Sequence, residues 1–233
     1  AYALMSSQSA SSSFPTTLKF YHNIFELLCQ QFMAVEPTCL DGNFNLYCGA
    51  AMLLLIPMYL FNRKTALREK LINMALTVFL LVSLNTNYLA YIWHGFHFPN
   101  GLPGRFSFIY IFMLLIMGYE GYRHRKDCPK WTAVVSAAGW LVFLVYCWRS
   151  DQVELEIYTW VITAALLVVY GGVFVVLSGR AKRRRMVEIG LLAVMLIEAC
   201  GYGIFGLCMN GTVNRKDYYS DQAAVSTLKA QVD

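Results

Sequence analysis

Apolar residues in this chain occur in long blocks, whereas a soluble amphipathic helix would show a polar face every three to four residues. Two of the blocks, Ala50 to Phe61 and Ile157 to Leu177, contain no charged residue. About 20 consecutive apolar residues cross the hydrocarbon core of a bilayer as a helix. The pattern therefore predicts six membrane-spanning helices, at about residues 46–62, 71–91, 105–122, 131–148, 155–178 and 186–209.

Composition supports the same fold class. Apolar residues make up 58% of the chain and charged residues only 14%. We therefore predict an all-α, polytopic integral membrane protein. The net charge of +5 is not spread evenly along the chain, and we expect membrane lipid but no nucleic acid as a partner.

The basic residues predict the orientation of the six spans. Of the 19 basic residues, 13 lie in the loops between spans one and two, three and four, and five and six. Loops rich in Lys and Arg stay on the cytoplasmic side of a membrane. This places both termini, and the connection between spans two and three, outside the cell.

Two segments flank the predicted membrane region. Residues 1–45 form an extracellular segment, in which apolar residues at helical spacing over 17–33 predict a helix. That helix either lies at the membrane interface or packs on other extracellular structure. Residues 210–233 are predicted to begin an extracellular C-terminal region. The chain has no initiator Met, signal-peptide core or basic leader at its start, so we expect it to be part of a longer protein.

The connection between spans two and three, residues 85–108, carries more chemistry than a chain reversal requires. It combines two histidines three residues apart, a single arginine, several asparagines and many aromatic rings. Such a set suits an anionic or sugar-like ligand where the membrane meets water. The alternative is that these side chains only anchor the helix ends at the interface. The candidate binding residues are Trp93, His94, His97, Asn100, Arg105 and Asn85.

Secondary candidates lie on two other parts of the chain. Asp41 and Asn45 precede the first span, where they could contact a metal ion or a sugar hydroxyl or could simply form a turn, and Tyr47 lies where the chain enters that span. Glu198 stands alone inside span six, where a carboxylate either has a function or is neutral and packed against a neighbouring helix. No HExxH motif or third clustered histidine is present, so we predict no metal site and no cofactor.

Several sequence motifs resemble the YfhO family of bacterial membrane proteins. They are IWHGFHFPNGLPGRFSF, the preceding LNTN, and LDGNFNLYCGAAMLLLIPMYLFNRK with the basic REK turn that follows it. The resemblance is specific over about residues 15–125 and looser to the end of the chain. It implies a GT-C-type glycosyltransferase in the bacterial plasma membrane. Such an enzyme would transfer a sugar from a polyprenyl-phosphate donor to an extracellular envelope polymer, such as a teichoic acid or another glycan.

For such a reaction, the residue types of the 85–108 connection suggest a hypothesis for their roles. Arg105, with His94 and His97, would hold the lipid phosphate, and Trp93 would stack on the sugar or on the first isoprene units. The resemblance also places the catalytic acidic residue in the first outer loop of the family, which we expect to lie outside this sequence. A divalent metal is possible in this fold class, but no ligand set for one is visible here.

Two alternatives belong to other classes of function. The first is a transporter or flippase for an envelope lipid, in which the 85–108 connection is a gate and Glu198 a proton-coupled site. The second is a non-catalytic membrane scaffold for other envelope proteins.

Overall fold

The computed structural model describes residues 14–36, 44–98, 104–129, 131–150, 153–179 and 184–209. Within these residues the fold is all-helical, as predicted, and contains no strand. The helices in chain order are α1 (Ile24–Cys29), α2 (Ala50–Phe61), α3 (Leu67–Asn85), α4 (Asn87–Trp93), α5 (Ser107–Arg123), α6 (Trp131–Arg149), α7 (Ile157–Ser178) and α8 (Arg184–Met209).

Three of the described helices are long and apolar enough to cross a membrane, namely α6, α7 and α8. Each of the other three predicted spans also contains a helix, although these helices are shorter or more polar. Helix α2 has 12 residues because residues 44–49 approach it as extended chain. Phe44 and Leu46 in this approach are buried, and irregular backbone at membrane depth is tolerated only where protein covers it.

Helix α2 lies at the centre of the molecule, where α5, α6 and α7 pack around it. Eight of its 12 residues are buried, so it has no solvent-facing side. Pro57 interrupts its hydrogen bonding because proline has no N–H to donate to the carbonyl of Leu53. The indole N–H of Trp140 donates to that carbonyl instead, at 2.8 Å. A side chain of α6 therefore satisfies a backbone group that α2 leaves open.

Helix α5 approaches α2 closely through two glycines. A Cβ atom on Gly121 would lie 3.1 Å from the backbone nitrogen of Tyr59 and would overlap the carbonyl oxygen of Leu55. A Cβ atom on Gly118 would meet the side chain of Met52. Small residues at such positions let two helix backbones pack together in a membrane.

The helix predicted over 17–33 is too long, because only α1 is helical in this segment. Asn23 begins α1 with a capping box: its side chain accepts from Glu26 N at 2.8 Å, and the Glu26 carboxylate accepts from Asn23 N at 2.9 Å. The residues before Asn23 are not helical, and their backbone pairs with the junction between α3 and α4: Tyr21 N donates to Asn85 O at 3.1 Å and Asn87 N donates to Lys19 O at 3.2 Å. Helical spacing of apolar residues was a misleading signal here.

Candidate functional site

The junction between α3 and α4 begins the candidate site. Predicted span two is not one helix, because Thr86 is extended and forms an isolated bridge with Phe20. Both amide groups of the flanking asparagines contact the N-terminal segment. Asn85 accepts from His22 N at 2.8 Å and donates to His22 O at 2.9 Å. Asn87 accepts from Lys19 N at 2.9 Å and donates to Thr17 O at 2.8 Å.

These contacts give Asn85 a structural role, whereas the sequence suggested a ligand-binding role. Both polar atoms of its side chain already have backbone partners, and the residue is buried. Asn85 therefore fixes where α4 starts, with its Oδ1 and one of its two N–H donors engaged by the backbone of His22. The helix that it starts, α4, leads directly into the two histidines.

Helix α4 ends in a left-handed turn. Gly95 and Phe96 have φ angles of 75° and 66°, and Phe96 N donates to Tyr91 O at 3.0 Å. Glycine adopts this conformation easily, whereas a bulky residue such as phenylalanine adopts it at a cost of about 1–3 kcal/mol. The turn places His94 and His97 on the two sides of a strained peptide unit, with their ring centroids 6.5 Å apart.

His94 is held in a defined orientation. Its Nδ1 lies 2.8 Å from the carbonyl oxygen of Ala90, so Nδ1 carries the proton and donates it. Its Nε2 is buried and has no hydrogen-bond partner among the described residues. Burial lowers the pKa of His94, and the nearby charges of Arg105 and His97 lower it further, against the opposite effect of the Ala90 carbonyl. His94 is therefore a neutral imidazole whose Nε2 presents a lone pair.

Aromatic rings form one wall beside the histidines. The rings of Trp93 and Phe106 stack with centroids 5.0 Å apart, and the Phe106 ring also contacts His94 at 6.1 Å. Arg105, next to Phe106 in the chain, is exposed. The Nδ1 atom of His97 is buried and has no partner among the described residues. The structure thus brings together four predicted residues, which we call the outer cluster: Trp93, His94, His97 and Arg105.

The backbone at Gly104 leads into the outer cluster from the other side. Its φ angle is 67°, and a Cβ atom there would lie 2.7 Å from the Phe44 ring and 3.2 Å from the side chain of Leu84. Glycine is required both for the left-handed backbone and for this close approach. It allows Arg105 to follow directly from a buried turn.

A second polar cluster surrounds Glu198 in the middle of α8. The carboxylate is 7% exposed and accepts hydrogen bonds from the hydroxyls of Tyr47 and Tyr170. It also accepts from Ala50 N, the first residue of α2, at 2.7 Å. Three donors from three parts of the chain therefore stabilise one carboxylate, which is how a buried acidic group is tolerated in a membrane protein. The positive end of the α2 dipole adds to this stabilisation.

The sequence suggested two members of this Glu198 cluster and missed the third. Tyr47 and Glu198 were separate secondary candidates, and the structure joins them. Tyr170 was missed because a single tyrosine in an apolar span carries no local signal. Asn45 lies on the exposed side of the approach to α2. The remaining candidates, Asp41 and Asn100, lie outside the described residues.

Metal ligation has no support in the part of the chain that the structure describes. No group of three or more His, Cys, Asp or Glu side chains there lies close enough to hold a metal ion. Among the described residues, no carboxylate or thiol joins the two histidines of the outer cluster in such a group. Their chemistry is that of hydrogen bonding and proton acceptance.

The fold and these clusters define a helical membrane protein with a polar, aromatic-walled site where α4 ends and α5 begins. The family model described as bacterial membrane protein YfhO matches residues 1–233. The chain therefore belongs to the YfhO family. No curated protein and no solved structure matches it at a significant level.

Proposed function

We propose that the chain is part of a membrane glycosyltransferase of the GT-C type. It would take a sugar from a polyprenyl-phosphate donor and transfer it to a cell-envelope polymer outside the cell. Family membership supports this class of protein. The observation that carries the proposal is the outer cluster, in which an exposed arginine lies near two histidines whose ring nitrogens His94 Nε2 and His97 Nδ1 are buried with no partner among the described residues.

Arg105 is the residue we assign to the donor phosphate. Its planar guanidinium can form two parallel hydrogen bonds with phosphate oxygens. When the glycosidic bond breaks, negative charge remains on the lipid phosphate. A cation already in position at such developing charge is often the largest single contribution to catalysis.

His94 has a different role in the proposal from the phosphate donor expected from the sequence. Its Nδ1 proton is given to Ala90 O, so the neutral ring can only accept a hydrogen bond at Nε2. We assign Nε2 to a sugar or acceptor hydroxyl, which it would orient or deprotonate. His97, with its buried and unpartnered Nδ1, remains a candidate donor to the phosphate.

The stacked pair of Trp93 and Phe106 completes the proposed donor site. Trp93 is partly exposed, whereas Phe106 beneath it is buried. A ring supported from behind offers a fixed apolar surface at the membrane interface. We assign this surface to the sugar face or the first isoprene units of the donor.

The proposed setting is the bacterial plasma membrane, crossed six times, with both termini and the outer cluster outside. The excess of basic residues in alternate loops supports this orientation. In the described part of these loops, Arg125 pairs with Glu188 at 2.7 Å, and Glu188 also accepts from Arg184 at 3.1 Å. This network joins the third and sixth predicted spans on the side proposed to be cytoplasmic.

The test uses the full-length protein, purified with a polyprenyl-phosphate sugar as donor and envelope polymer as acceptor. We expect Arg105→Ala to lower the transfer rate by about 100-fold or more. Arg105→Lys keeps the charge but loses the planar fork, so its rate should be intermediate. Arg123→Ala is the matched control, because Arg123 is exposed at the other end of α5.

Two outcomes would count against this function. One is a wild-type protein that transfers no sugar from any polyprenyl-phosphate donor. The other is full transfer by Arg105→Ala in a protein that inserts normally into membranes. Loss of transfer in Arg123→Ala as well would show a general structural effect.

An envelope-lipid transporter is the second candidate, and the buried Glu198 carboxylate is the observation that favours it. Buried carboxylates in membrane helices often carry protons in transporters. Movement of a labelled polyprenyl-phosphate lipid across liposomes, abolished by Glu198→Gln in a stable protein, would support transport over sugar transfer.

A further inference from the structure

A cavity of about 740 Å³ opens at the junction of α6 and α7, away from both polar clusters. The described residues that line it lie in the turn at residues 34–36, at the end of α6, in the connection into α7 with the first turn of that helix, and at Met209 at the end of α8. All of these residues are outside the cell in the proposed orientation. The volume is within the range of known small-molecule sites, about 300–1,000 Å³.

The walls of this cavity combine acceptors with aromatic rings. Three carboxylates line it, those of Glu36, Glu154 and Glu156, and no lysine, arginine or histidine is among the described lining residues. A carboxylate accepts hydrogen bonds and donates none, and it repels phosphate. The ligand that suits these walls therefore carries many hydroxyl donors and no negative charge. The lining rings are those of Trp148, Tyr158 and Trp160.

The carboxylates are not arranged for a metal ion, since no group of three acidic, histidine or cysteine side chains in the described ranges converges on one point. They are spread along a wall that also presents rings. A sugar chain matches this arrangement, because each sugar ring has apolar faces that pack on aromatic rings and hydroxyls at its edge that donate to carboxylates. Trp160 is fixed within the wall, because its indole N–H donates to Leu155 O at 3.1 Å.

The opposite wall is held in place by α7. Ala34 has a φ angle of 62°, which is a left-handed conformation that a residue other than glycine adopts only under constraint. Two buried threonines supply the constraint: Thr159 Oγ1 donates to Ala34 O at 2.9 Å, and Thr163 Oγ1 accepts from Met33 N at 3.1 Å. The turn that carries Glu36 to the cavity is therefore built before any ligand arrives.

We propose that this cavity binds an uncharged sugar chain and is the acceptor site of the transferase. The role of the cavity as an acceptor site rests on the proposed function, whereas the class of ligand rests on the residues that line the cavity. This proposal reduces the range of possible acceptors, because three carboxylates disfavour the phosphate backbone of a teichoic-acid-like polymer. The chain accepted here would be a neutral glycan or the neutral glycosyl part of such a polymer.

The test is isothermal titration of the full-length protein in detergent with chitotetraose, cellotetraose and maltotetraose, and with a glycerol phosphate tetramer. We expect at least one neutral tetrasaccharide to bind and the phosphate tetramer to bind more weakly or not at all. Trp148→Ala should weaken saccharide binding by about tenfold or more, as truncation of a central aromatic contact usually does.

Trp131→Ala is the matched control, because Trp131 is at the other end of α6 and is 51% exposed compared with 56% for Trp148. Its saccharide affinity should equal that of the wild type. The triple variant Glu36→Gln, Glu154→Gln, Glu156→Gln should lose saccharide affinity and gain affinity for the phosphate tetramer, because amides remove the repulsion.

The outcomes separate this proposal from the proposed function. Arg105→Ala should lose transfer yet keep saccharide binding, since it belongs to the outer cluster. If transfer survives in Arg105→Ala while Trp148→Ala still loses binding, the donor site is wrong and the sugar-binding cavity stands. The cavity proposal is overturned if none of the neutral tetrasaccharides binds the wild type, if the phosphate tetramer binds more tightly than they do, or if Trp131→Ala and Trp148→Ala lose affinity equally.

Discussion

At the scale of the residue, one ring nitrogen of His94 has a hydrogen-bond partner and the other has none among the described residues. Its Nδ1 is engaged by Ala90 O, and Nε2 is buried with no partner in the described ranges. Sequence spacing alone made it a possible phosphate donor. The structure makes it a hydrogen-bond acceptor, because protonation at Nε2 would place a charge beside Arg105 in a partly buried site.

This arrangement predicts a pH dependence. The pKa of His94 is lowered in the folded protein, mainly by burial, so the unfolded chain binds a proton at a higher pH than the folded chain does. The free energy of unfolding should therefore fall as the pH drops through the unfolded value of about 6.5, and it should level off below the folded pKa. Thermal unfolding in detergent between pH 8 and pH 5 measures this change in stability.

His94→Gln is the comparison variant, because its amide can still donate to Ala90 O but does not titrate in this range. We expect its unfolding temperature to change less between pH 7 and pH 5 than that of the wild type. An identical pH dependence in both proteins would contradict the lowered pKa of His94.

At the scale of the element, the close packing of α2 against α5 leaves little room for a methyl group at the glycines of α5. Gly121 faces the backbone of Leu55 and Tyr59, which cannot move aside without separating the helices. Gly118 faces the flexible Met52 side chain. Gly172, on α7, has open space within 4 Å.

These surroundings predict an order of stability for three alanine substitutions. Gly121→Ala should lower the free energy of unfolding by about 1–3 kcal/mol or more, because overpacking forces the backbones apart. Gly118→Ala should cost less, since Met52 can change rotamer. Gly172→Ala should be neutral or stabilising by up to about 1 kcal/mol, because alanine favours helix. Unfolding midpoints in detergent test the order, and a Gly121→Ala protein as stable as Gly172→Ala would contradict the close approach.

At the scale of the whole molecule, α8 is attached to the remaining helices by few contacts. Only Leu191 and Glu198 of its residues are buried, so most of its surface is available to lipid. The Glu198 carboxylate joins it to α7 through Tyr170 and to the start of α2 through Ala50 N. One side chain thus connects three elements far apart in sequence.

Removing this carboxylate should loosen α8. Glu198→Ala leaves three donors unpaired in an apolar interior, and we expect a loss of about 3 kcal/mol or more, since each unpaired buried donor costs about 1–3 kcal/mol. Tyr170→Phe removes one donor and should cost about 1 kcal/mol. Tyr146→Phe, on an exposed ring of α6, is the control and should be neutral.

Hydrogen exchange of the α8 amides, together with the unfolding midpoint, measures the effect. Exchange should rise in α8 of Glu198→Ala while α2 and α5 stay protected at their contact. Unchanged exchange and stability in Glu198→Ala would show that other contacts hold α8.

The sequence by itself determined that the protein is helical and apolar, because long blocks such as Ile157 to Leu177 leave few other solutions. It also placed Trp93, His94, His97 and Arg105 in one cluster, because they are close in the chain on either side of a turn. Orientation in the membrane follows from charge and stays a prediction.

Tertiary structure alone decided the contacts between distant residues. Nothing local connects Tyr170 or Ala50 with Glu198. Nothing in the helical spacing of residues 17–33 shows that Asn85 and Asn87 bind the backbone before Asn23, which is not helical. The described lining of the cavity beside Trp148 likewise comes from three separate parts of the chain, residues 34–36, 148–160 and Met209. Periodicity reports the preferences of neighbouring residues, whereas pairing of buried polar groups depends on which helices pack together.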